Sequence, residues 1–145
     1  MKYEEKVMDL FSAPNDYWFA HCISADFALG KGIAVEFNKH FDMKRQLIRS
    51  AARDNWTGKG YCVTVRDIPV FNLVTKERYW MKPTYQTVSE ALLDMLDWAL
   101  AFGVKKIAMP MIGCGLDKLK WEAVSSIIRA TFEETDIEIL VCIRP

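Results

Sequence analysis

The chain has few of the residues with which proteins build metal centres. Its 145 residues include four cysteines and two histidines, and no two of the cysteines form a Cys-x-x-Cys pair. Structural zinc sites commonly take their ligands at that spacing. We therefore expect no metal site and no disulfide framework, and we interpret the cysteines as free thiols in a reducing compartment. They are Cys22, Cys62, Cys114 and Cys142.

Long apolar runs and net charge are also missing. No segment approaches the roughly 18 apolar residues of a membrane-spanning helix, and residues 1–6 are charged where a signal peptide would be apolar. Nineteen basic residues balance nineteen acidic ones, so the overall charge does not favour nucleic acid or an anionic membrane. We predict a cytoplasmic protein, or a nuclear one in a eukaryote, without membrane contact. Because heptads are absent as well, we predict a monomer.

Composition predicts one domain spanning residues 1–145. Hydrophobic residues make up 51% of the chain and charged residues 26%, which is ordinary for a globular protein. No Pro-rich, Ser-rich or repetitive stretch divides the chain. At this length a single core buries about two-thirds of the surface that the unfolded chain exposes.

Strands alternate with helices in the hydrophobic pattern. Short apolar runs predict strands, and apolar residues three and four apart predict helices. The clearest helix is 84–102, which Gly103 follows as a C-cap. The other predicted helices are 33–41, 43–53 and 121–132, and the predicted strands are 18–23, 61–65, 70–74, 107–109 and 137–143, with a turn at 67–69. This alternation predicts an α/β layer sandwich around a mixed sheet.

Segment 109–117 carries two glycines and an acid directly after a predicted strand. Glycine lets backbone N–H groups approach a ligand, and successive amides in a turn form a concavity that favours anions. Asp117, which follows Gly113 and Gly115, is a catalytic candidate. Short strand-to-helix turns often contain glycine for structural reasons alone, so this segment by itself leaves both interpretations open.

Other polar and glycine residues also follow predicted strands. These are Ser24, Gly30 and Lys76. In α/β sheets ligands bind outside the carboxyl ends of the strands. We therefore expect these residues and the 113–117 turn to lie near one another at one edge.

A series of motifs covering nearly the whole chain resembles the macrodomain family. They are Asp9-Leu10-Phe11, His21-Cys22-Ile23-Ser24, Gly30-Lys31-Gly32-Ile33-Ala34, Thr75-Lys76, Lys82-Pro83-Thr84-Tyr85 and the run from Ile112 to Glu122. The chain is most similar to the branch of the terminal ADP-ribose protein glycohydrolase, whose signature couples a lysine after the central strands with an aspartate after Gly-Cys-Gly-Leu. Those positions are Lys76 and Asp117 here. An antitoxin macrodomain that removes ADP-ribose from DNA belongs to the same branch.

The resemblance implies a three-layer α/β/α fold with a central mixed sheet and a pocket for ADP-ribose. Asp9 would accept a hydrogen bond from the adenine amino group, and Ser24 would contact the distal ribose. The two glycine segments would wrap the diphosphate and that ribose, helped by the helix that begins near Ile33. The implied ligand-binding residues are Asp9, Leu10, Ser24, Gly30, Gly32, Ile33, Ala34, Ile112, Gly113, Cys114, Gly115 and Leu116.

Lys76 distinguishes an enzyme from a binding module. In the related glycohydrolase the lysine amine attacks the anomeric carbon of the distal ribose, and the aspartate helps to resolve the lysyl adduct. An amine is nucleophilic only when it is deprotonated. Asp117 would supply the base, but as an ion-pair partner it would favour the charged amine. The sequence leaves the balance between these two effects open.

The resemblance implies a hydrolase that removes mono-ADP-ribose from Glu and Asp side chains and deacylates O-acyl-ADP-ribose, with no metal or cofactor. Its partner would be ADP-ribose or an ADP-ribosylated protein, with ADP-ribosylated nucleic acid as an alternative. Four other functions stay open: a non-catalytic ADP-ribose reader, an ADP-ribose 1″-phosphate phosphatase, a nucleobase ADP-ribosyl hydrolase, and a scaffold whose glycines only make turns.

Several conspicuous residues have a structural interpretation instead. We expect His21 to be a core histidine, Cys114 to be a packing residue, and the helix face of Arg45, Arg49 and Arg53 to be solvated. Three aromatic residues near the site are harder to place, because aromatic side chains near a nucleotide can stack on it but are more often core. These are Trp80, Tyr85 and Trp121. Cys142 stands where members of the branch carry an aromatic residue, which leaves adenine without a stacking partner on that side.

Overall fold

The computed structural model describes residues 1–50, 59–115 and 118–145. In chain order these contain β1 (Lys2–Val7), a 3₁₀ turn (Leu10–Ser12), β2 (Trp18–Ser24), α1 (Ile33–Phe41), α2 (Met43–Ser50), β3 (Tyr61–Val65), β4 (Ile68–Lys76), α3 (Tyr85–Phe102), β5 (Lys106–Met109), α4 (Trp121–Phe132) and β6 (Glu138–Ile143). Within this part of the chain no helix is both long and apolar enough to cross a membrane.

The described strands form one mixed sheet of six strands in the order β1-β6-β5-β2-β4-β3. Strand β3 is antiparallel to β4, and every other neighbouring pair is parallel. Five carboxyl ends therefore meet at one edge of the sheet. We call this the carboxyl edge.

Helices cover both faces of the sheet. On one face α3 and α4 bury an apolar cluster that includes Phe71, Leu92 and Ile128. On the other face α1 and α2 bury a second cluster that includes Phe37 and Leu47. The predicted three-layer α/β/α fold with a central mixed sheet is thus confirmed.

The ends of α3 illustrate how local sequence sets the helix boundaries. Thr84 and Thr87 form a reciprocal capping box at its start, and Gly103 ends it in the left-handed conformation with φ 69°. The capping box satisfies N–H groups that the first turn leaves without partners. A left-handed C-cap is the conformation that glycine adopts without a Cβ penalty. Because α3 follows the loop after Lys76, the last residue of β4, the helix begins beside the carboxyl edge and runs back across the sheet.

Two features differ from the sequence prediction. Strand β1 is not predicted, because most of its side chains are exposed and it is held at the sheet edge by backbone pairing with β6. Strand β4 begins at Ile68, so the predicted turn at 67–69 is displaced to Asp67, whose φ is 65°. Pro69 fits inside the strand because pairing with β2 begins only at Val70, so its missing N–H is not needed there.

The other boundaries agree closely with the prediction. Helices α1 and α4 have the predicted bounds. Helix α2 extends to Ser50, and residues 51–53 of the predicted helix lie outside the described part of the chain. Strand β6 starts at Glu138, one residue after the predicted start.

Candidate active site

The carboxyl edge brings together the residues that follow the parallel strands. Ser24 is the last residue of β2 and Lys76 the last of β4, and the two are paired in the ladder. The backbone N–H of Ala25 donates to the carbonyl of Lys76 at 2.9 Å. Neighbouring strands lie about 4.8 Å apart, so Ser24 and Lys76 stand side by side. The Ser24 side chain is buried and that of Lys76 is half-buried.

Ser24 belongs to a hydrogen-bonded cluster centred on Asp26. The Ser24 hydroxyl donates to Asp26 Oδ1 at 2.5 Å, and the Ala28 N–H donates to the same oxygen at 3.2 Å. The second oxygen, Oδ2, accepts from the backbone N–H of Tyr79 at 3.0 Å. Asp26 therefore ties the loop after β2 to the loop after β4.

The charge of Asp26 is favoured by these contacts. Partial burial opposes ionisation, but the hydrogen bonds from Ser24 and from the amides of Tyr79 and Ala28 outweigh it and hold the pKa of Asp26 below its ordinary value. Sequence reasoning missed this residue. The available signal was an acid in the loop directly after β2, where an Asp side chain can accept from the backbone N–H two residues on in an Asx turn, as Asp26 does from Ala28.

The start of α1 presents a helix N-terminus at the carboxyl edge. Gly32 is the N-cap, with φ 62° and ψ −148° and without a side-chain cap. That backbone region is essentially restricted to glycine. The positive end of the helix therefore meets the carboxyl edge without a capping side chain, an arrangement that favours phosphate. Gly30 and Gly32 are exposed, whereas Ile33 is half-buried and Ala34 buried.

The turn after β5 also lies at the carboxyl edge. Gly113 is left-handed with φ 73°, and a Cβ added there would lie 3.1 Å from Leu119 Cδ1. The turn is closed by the Leu119 N–H, which donates to the Gly113 carbonyl at 2.8 Å. Cys114 is half-buried and its thiol donates to the Ile112 carbonyl at 3.3 Å, so it packs within the turn as predicted. Gly115 is exposed, with open space where a Cβ would stand.

The remaining predicted residues of this turn, Leu116 and Asp117, lie outside the described part of the chain. The assignment of Asp117 as the catalytic acid or base therefore rests on its position in the sequence. Its neighbour Lys118 is described and has a left-handed backbone with φ 61°.

Asp9 lies at the far end of the same edge, two residues after β1. Its Oδ1 caps the 3₁₀ turn by accepting from the Phe11 N–H at 3.1 Å. An exposed carboxylate keeps further acceptor capacity after one such bond, so capping and the predicted contact to adenine are compatible. Leu10 beside it is buried.

Cys142 lies in the core close to Asp9. Burial, followed by the charge of Asp9, raises the pKa of the Cys142 thiol to about 11. This position therefore supplies neither a stacking ring nor a reactive thiolate.

His21 is a core residue, as the sequence predicts. Its Nε2 lies 2.7 Å from Asn72 Oδ1, and its ring stacks on Phe37 with centroids 3.8 Å apart. Burial lowers the pKa of His21 to about 4, against the opposing effect of the Asn72 hydrogen bond. The imidazole is therefore neutral at physiological pH.

Two of the three aromatic residues near the site lie on the surface and not in the core. Trp80 is 69% exposed and Tyr85 is 39% exposed, and the Tyr85 hydroxyl accepts from the Lys120 N–H at 3.0 Å. Trp121 is half-buried and its indole N–H donates to Glu5 at 3.2 Å. The exposure of Trp80 depends on the geometry of its loop, which the local sequence pattern does not predict.

The predicted arginine face is solvated where it is described. Arg45 pairs with Asp42 at 3.1 Å on the surface, Arg49 is exposed, and Arg53 lies outside the described residues. Across residues 1–50, 59–115 and 118–145, no group of His, Cys, Asp and Glu side chains is arranged to hold a metal ion.

The fold is α/β/α, and a lysine, two glycine segments and the N-terminus of α1 lie at the carboxyl edge of its sheet. The family model of the Macro domain matches residues 21–128. The chain therefore belongs to the Macro domain family, and the predicted family is confirmed.

Two kinds of relatives agree with this assignment. The human ADP-ribose glycohydrolase OARD1 is 42% identical over 134 residues, which cover 92% of this chain and 86% of that protein. Among solved structures, the macrodomain of Thermus aquaticus DarG superposes with a TM-score of 0.82 at 22% identity, covering 97% of both chains. Thermosipho africanus DarTG in complex with ADP-ribose gives a TM-score of 0.75 at 17% identity, over 98% of this chain and 41% of that one. At such low identities the two structures support the fold alone.

Proposed function

We propose that this protein is an ADP-ribose hydrolase that removes mono-ADP-ribose from glutamate and aspartate side chains and deacylates esters such as O-acetyl-ADP-ribose. The observation that carries the proposal is the 42% identity to human ADP-ribose glycohydrolase OARD1 over 92% of the chain. The carboxyl edge supports it, because it combines the N-terminus of α1 and two glycine segments, which suit a diphosphate, with a half-buried lysine.

Lys76 is the nucleophile in this proposal. Its neutral amine attacks the anomeric carbon of the distal ribose, the bond from that carbon to the ester oxygen breaks, and the carboxylate of the target side chain leaves. The attacking nitrogen then loses a proton to a base, and water hydrolyses the lysyl adduct to ADP-ribose and free lysine. We assign the base, and the acid of the second step, to Asp117 from its position after Gly113-Cys114-Gly115.

The remaining residues bind and orient the ligand. The first turn of α1, preceded by Gly30 and Gly32, and the Gly113–Gly115 turn face the diphosphate, and Asp9 accepts from adenine. The hydroxyl proton of Ser24 is engaged with Asp26. Ser24 therefore meets the distal ribose as a hydrogen-bond acceptor, through its remaining lone pairs.

This chemistry uses side chains and water, so it requires neither a metal nor a redox cofactor. ADP-ribose and ADP-ribosylated protein are the expected partners. We propose further that the protein acts as a cytoplasmic monomer, or in the nucleus of a eukaryote.

Turnover of a defined substrate tests this proposal. Wild type, Lys76→Ala and Asp117→Ala are incubated with a glutamate-linked mono-ADP-ribosylated protein, and released products and intact enzyme are analysed by mass spectrometry. We expect wild type to release ADP-ribose, Lys76→Ala to be inactive, and Asp117→Ala to accumulate a lysine-linked adduct. Lys105→Ala is the matched control. Lys105 is an exposed lysine that lies directly before β5 and pairs with Asp136.

Each alternative function predicts a different result. A reader binds ADP-ribose but releases nothing from any substrate. A phosphatase releases phosphate from ADP-ribose 1″-phosphate, and a nucleobase hydrolase acts on an ADP-ribosylated oligonucleotide but not on the protein ester. Full activity of Lys76→Ala on the protein ester would exclude the lysine mechanism.

A further inference from the structure

Three consecutive exposed apolar residues follow the candidate site directly. Tyr79 is 57% exposed, Trp80 69% and Met81 37%. They begin three residues after Lys76, in the loop between β4 and α3. Single exposed apolar side chains are common on protein surfaces, but contiguous ones often mark interaction sites. We call these three residues the apolar loop.

The backbone of the apolar loop is anchored. The Tyr79 N–H donates to Asp26 at 3.0 Å, and the Met81 N–H closes a turn onto the Arg78 carbonyl at 3.0 Å. Pro83, which follows the loop, is buried, and Thr84 caps α3. The path of the chain thus presents the three side chains to solvent at a fixed place. A preordered surface loses less conformational entropy on binding than a flexible one.

The apolar loop lies close to where the target side chain would be released from ADP-ribose. In the proposed reaction the anomeric carbon lies at Lys76, so the target side chain must leave the pocket beside that lysine. The polypeptide that carries this side chain then passes over the residues next to it. The apolar loop lies there, and exposed cationic residues, Arg78 and Lys82, flank it on both sides.

From this arrangement we infer that the apolar loop is a docking surface for the modified target, and that its occupant is an acidic polypeptide segment. The inference rests on the proposed function, which places the leaving carboxylate beside Lys76. Aromatic residues, Met and Arg are enriched in protein interfaces, and buried Trp and Tyr side chains often dominate their binding energy. Arg78 and Lys82 complement carboxylates around the modified residue, which steers association.

The first test compares two substrates that share the ADP-ribose group. For an acidic peptide carrying glutamate-linked ADP-ribose, Tyr79→Ala/Trp80→Ala should lower kcat/KM about tenfold through KM, a typical loss for an interface aromatic pair. Hydrolysis of O-acetyl-ADP-ribose, which has no polypeptide, should stay unchanged. Trp98→Ala is the matched control, because Trp98 is a 37% exposed tryptophan on α3.

A binding measurement separates failure of the docking surface from failure of the proposed function. In a Lys76→Ala background the Kd of the ADP-ribosylated peptide is compared with that of free ADP-ribose. The peptide should bind more tightly, and Tyr79→Ala/Trp80→Ala should abolish the difference without changing the Kd of ADP-ribose. This result does not depend on turnover, so an inactive wild type would contradict the proposed reaction and not the docking surface.

Three outcomes would overturn the inference. The first is an equal Kd for the peptide and for free ADP-ribose. The second is an equal loss of activity on both substrates in the double variant, which would place the loop in the ligand pocket. The third is a loss confined to an ADP-ribosylated single-stranded oligonucleotide, which would make the occupant a nucleic acid. Arg78→Glu/Lys82→Glu adds a further check, because it should weaken peptide binding most at low salt.

Discussion

Asp26 accepts a hydrogen bond from the backbone N–H of Tyr79 at 3.0 Å and so joins two loops that follow neighbouring strands. The same carboxylate accepts from the Ser24 hydroxyl. The Asp26 side chain therefore orients the hydroxyl of Ser24 and also holds the backbone of the loop that follows Lys76. Asp26 is a positioning residue, since it acts through these groups.

Replacing Asp26 with asparagine should impair turnover more than binding. The amide keeps one acceptor oxygen, so Ser24, Ala28 and Tyr79 cannot all keep their present bonds. We expect kcat for the protein ester to fall while the Kd of ADP-ribose changes little, and stability to fall by about 1–2 kcal/mol. Asp16→Asn is the control, because Asp16 is exposed and pairs with Lys106 away from the carboxyl edge. Equal losses in kcat and affinity would argue against a positioning role.

His21 should make stability depend on pH in mildly acidic solution. The unfolded histidine takes up a proton near pH 6.5, whereas burial lowers its pKa in the folded state to about 4. The contribution of His21 to the free energy of unfolding is therefore fully present above pH 6.5. It is lost as pH falls from there towards about 4, because the unfolded state binds more protons over that range. At about 1.4 kcal/mol per pKa unit the loss is about 3 kcal/mol.

Urea unfolding between pH 7 and 4 checks the His21 prediction. His21→Gln keeps a hydrogen-bonding partner for Asn72 and should flatten the dependence. His40→Gln is the matched control, because His40 is the other histidine of the chain and lies exposed on α1. If wild type and His21→Gln lose stability in parallel, the titrating group lies elsewhere.

Two glycines of the same turn should respond differently to alanine. Gly113 has φ 73° and Leu119 leaves little room for a Cβ, whereas Gly115 has open space around that position. Gly113→Ala should cost about 1–3 kcal/mol of stability through backbone strain. Gly115→Ala should change the free energy of unfolding by less than about 0.5 kcal/mol. Similar costs at both positions would contradict the described shape of the turn.

Gly60→Ala should be among the most disruptive substitutions in the chain. A Cβ at Gly60 would overlap the backbone carbonyl of Thr87 and approach Ala91 N within 2.9 Å. Backbone atoms of α3 cannot rotate away as a side chain can, so the start of β3 and α3 must separate. We expect a loss of about 3 kcal/mol or more, measured by denaturant unfolding. Gly30→Ala is the control, since its nearest neighbour would be 3.9 Å away.

Features encoded by local pattern could be predicted from the sequence. The bounds of α1 and α4 follow from apolar spacing, and the end of α3 follows from Gly103. The carboxyl edge was also predictable, because parallel strands place the residues that follow them together. Lys76 and Ser24 meet there for that reason.

Features that depend on contacts between distant segments could not be predicted. Strand β1 pairs with β6 across more than 130 residues and shows no apolar alternation. In the sequence Asp26 resembles any acidic loop residue, because its hydrogen bond from the Tyr79 N–H forms only in the folded chain. The exposure of Trp80 depends on the hydrogen bond that anchors its loop to Asp26. The identity of an aromatic residue in the sequence does not predict such a contact.

The edge position of β1 has a consequence for hydrogen exchange. Its only described neighbour in the sheet is β6, and most of its side chains are exposed, so local opening of β1 disrupts few apolar contacts. Such an opening carries Asp9 away from the carboxyl edge. If Asp9 binds adenine as proposed, exchange of the β1 amides should slow as ligand binds, and this edge strand would report the occupancy of the site.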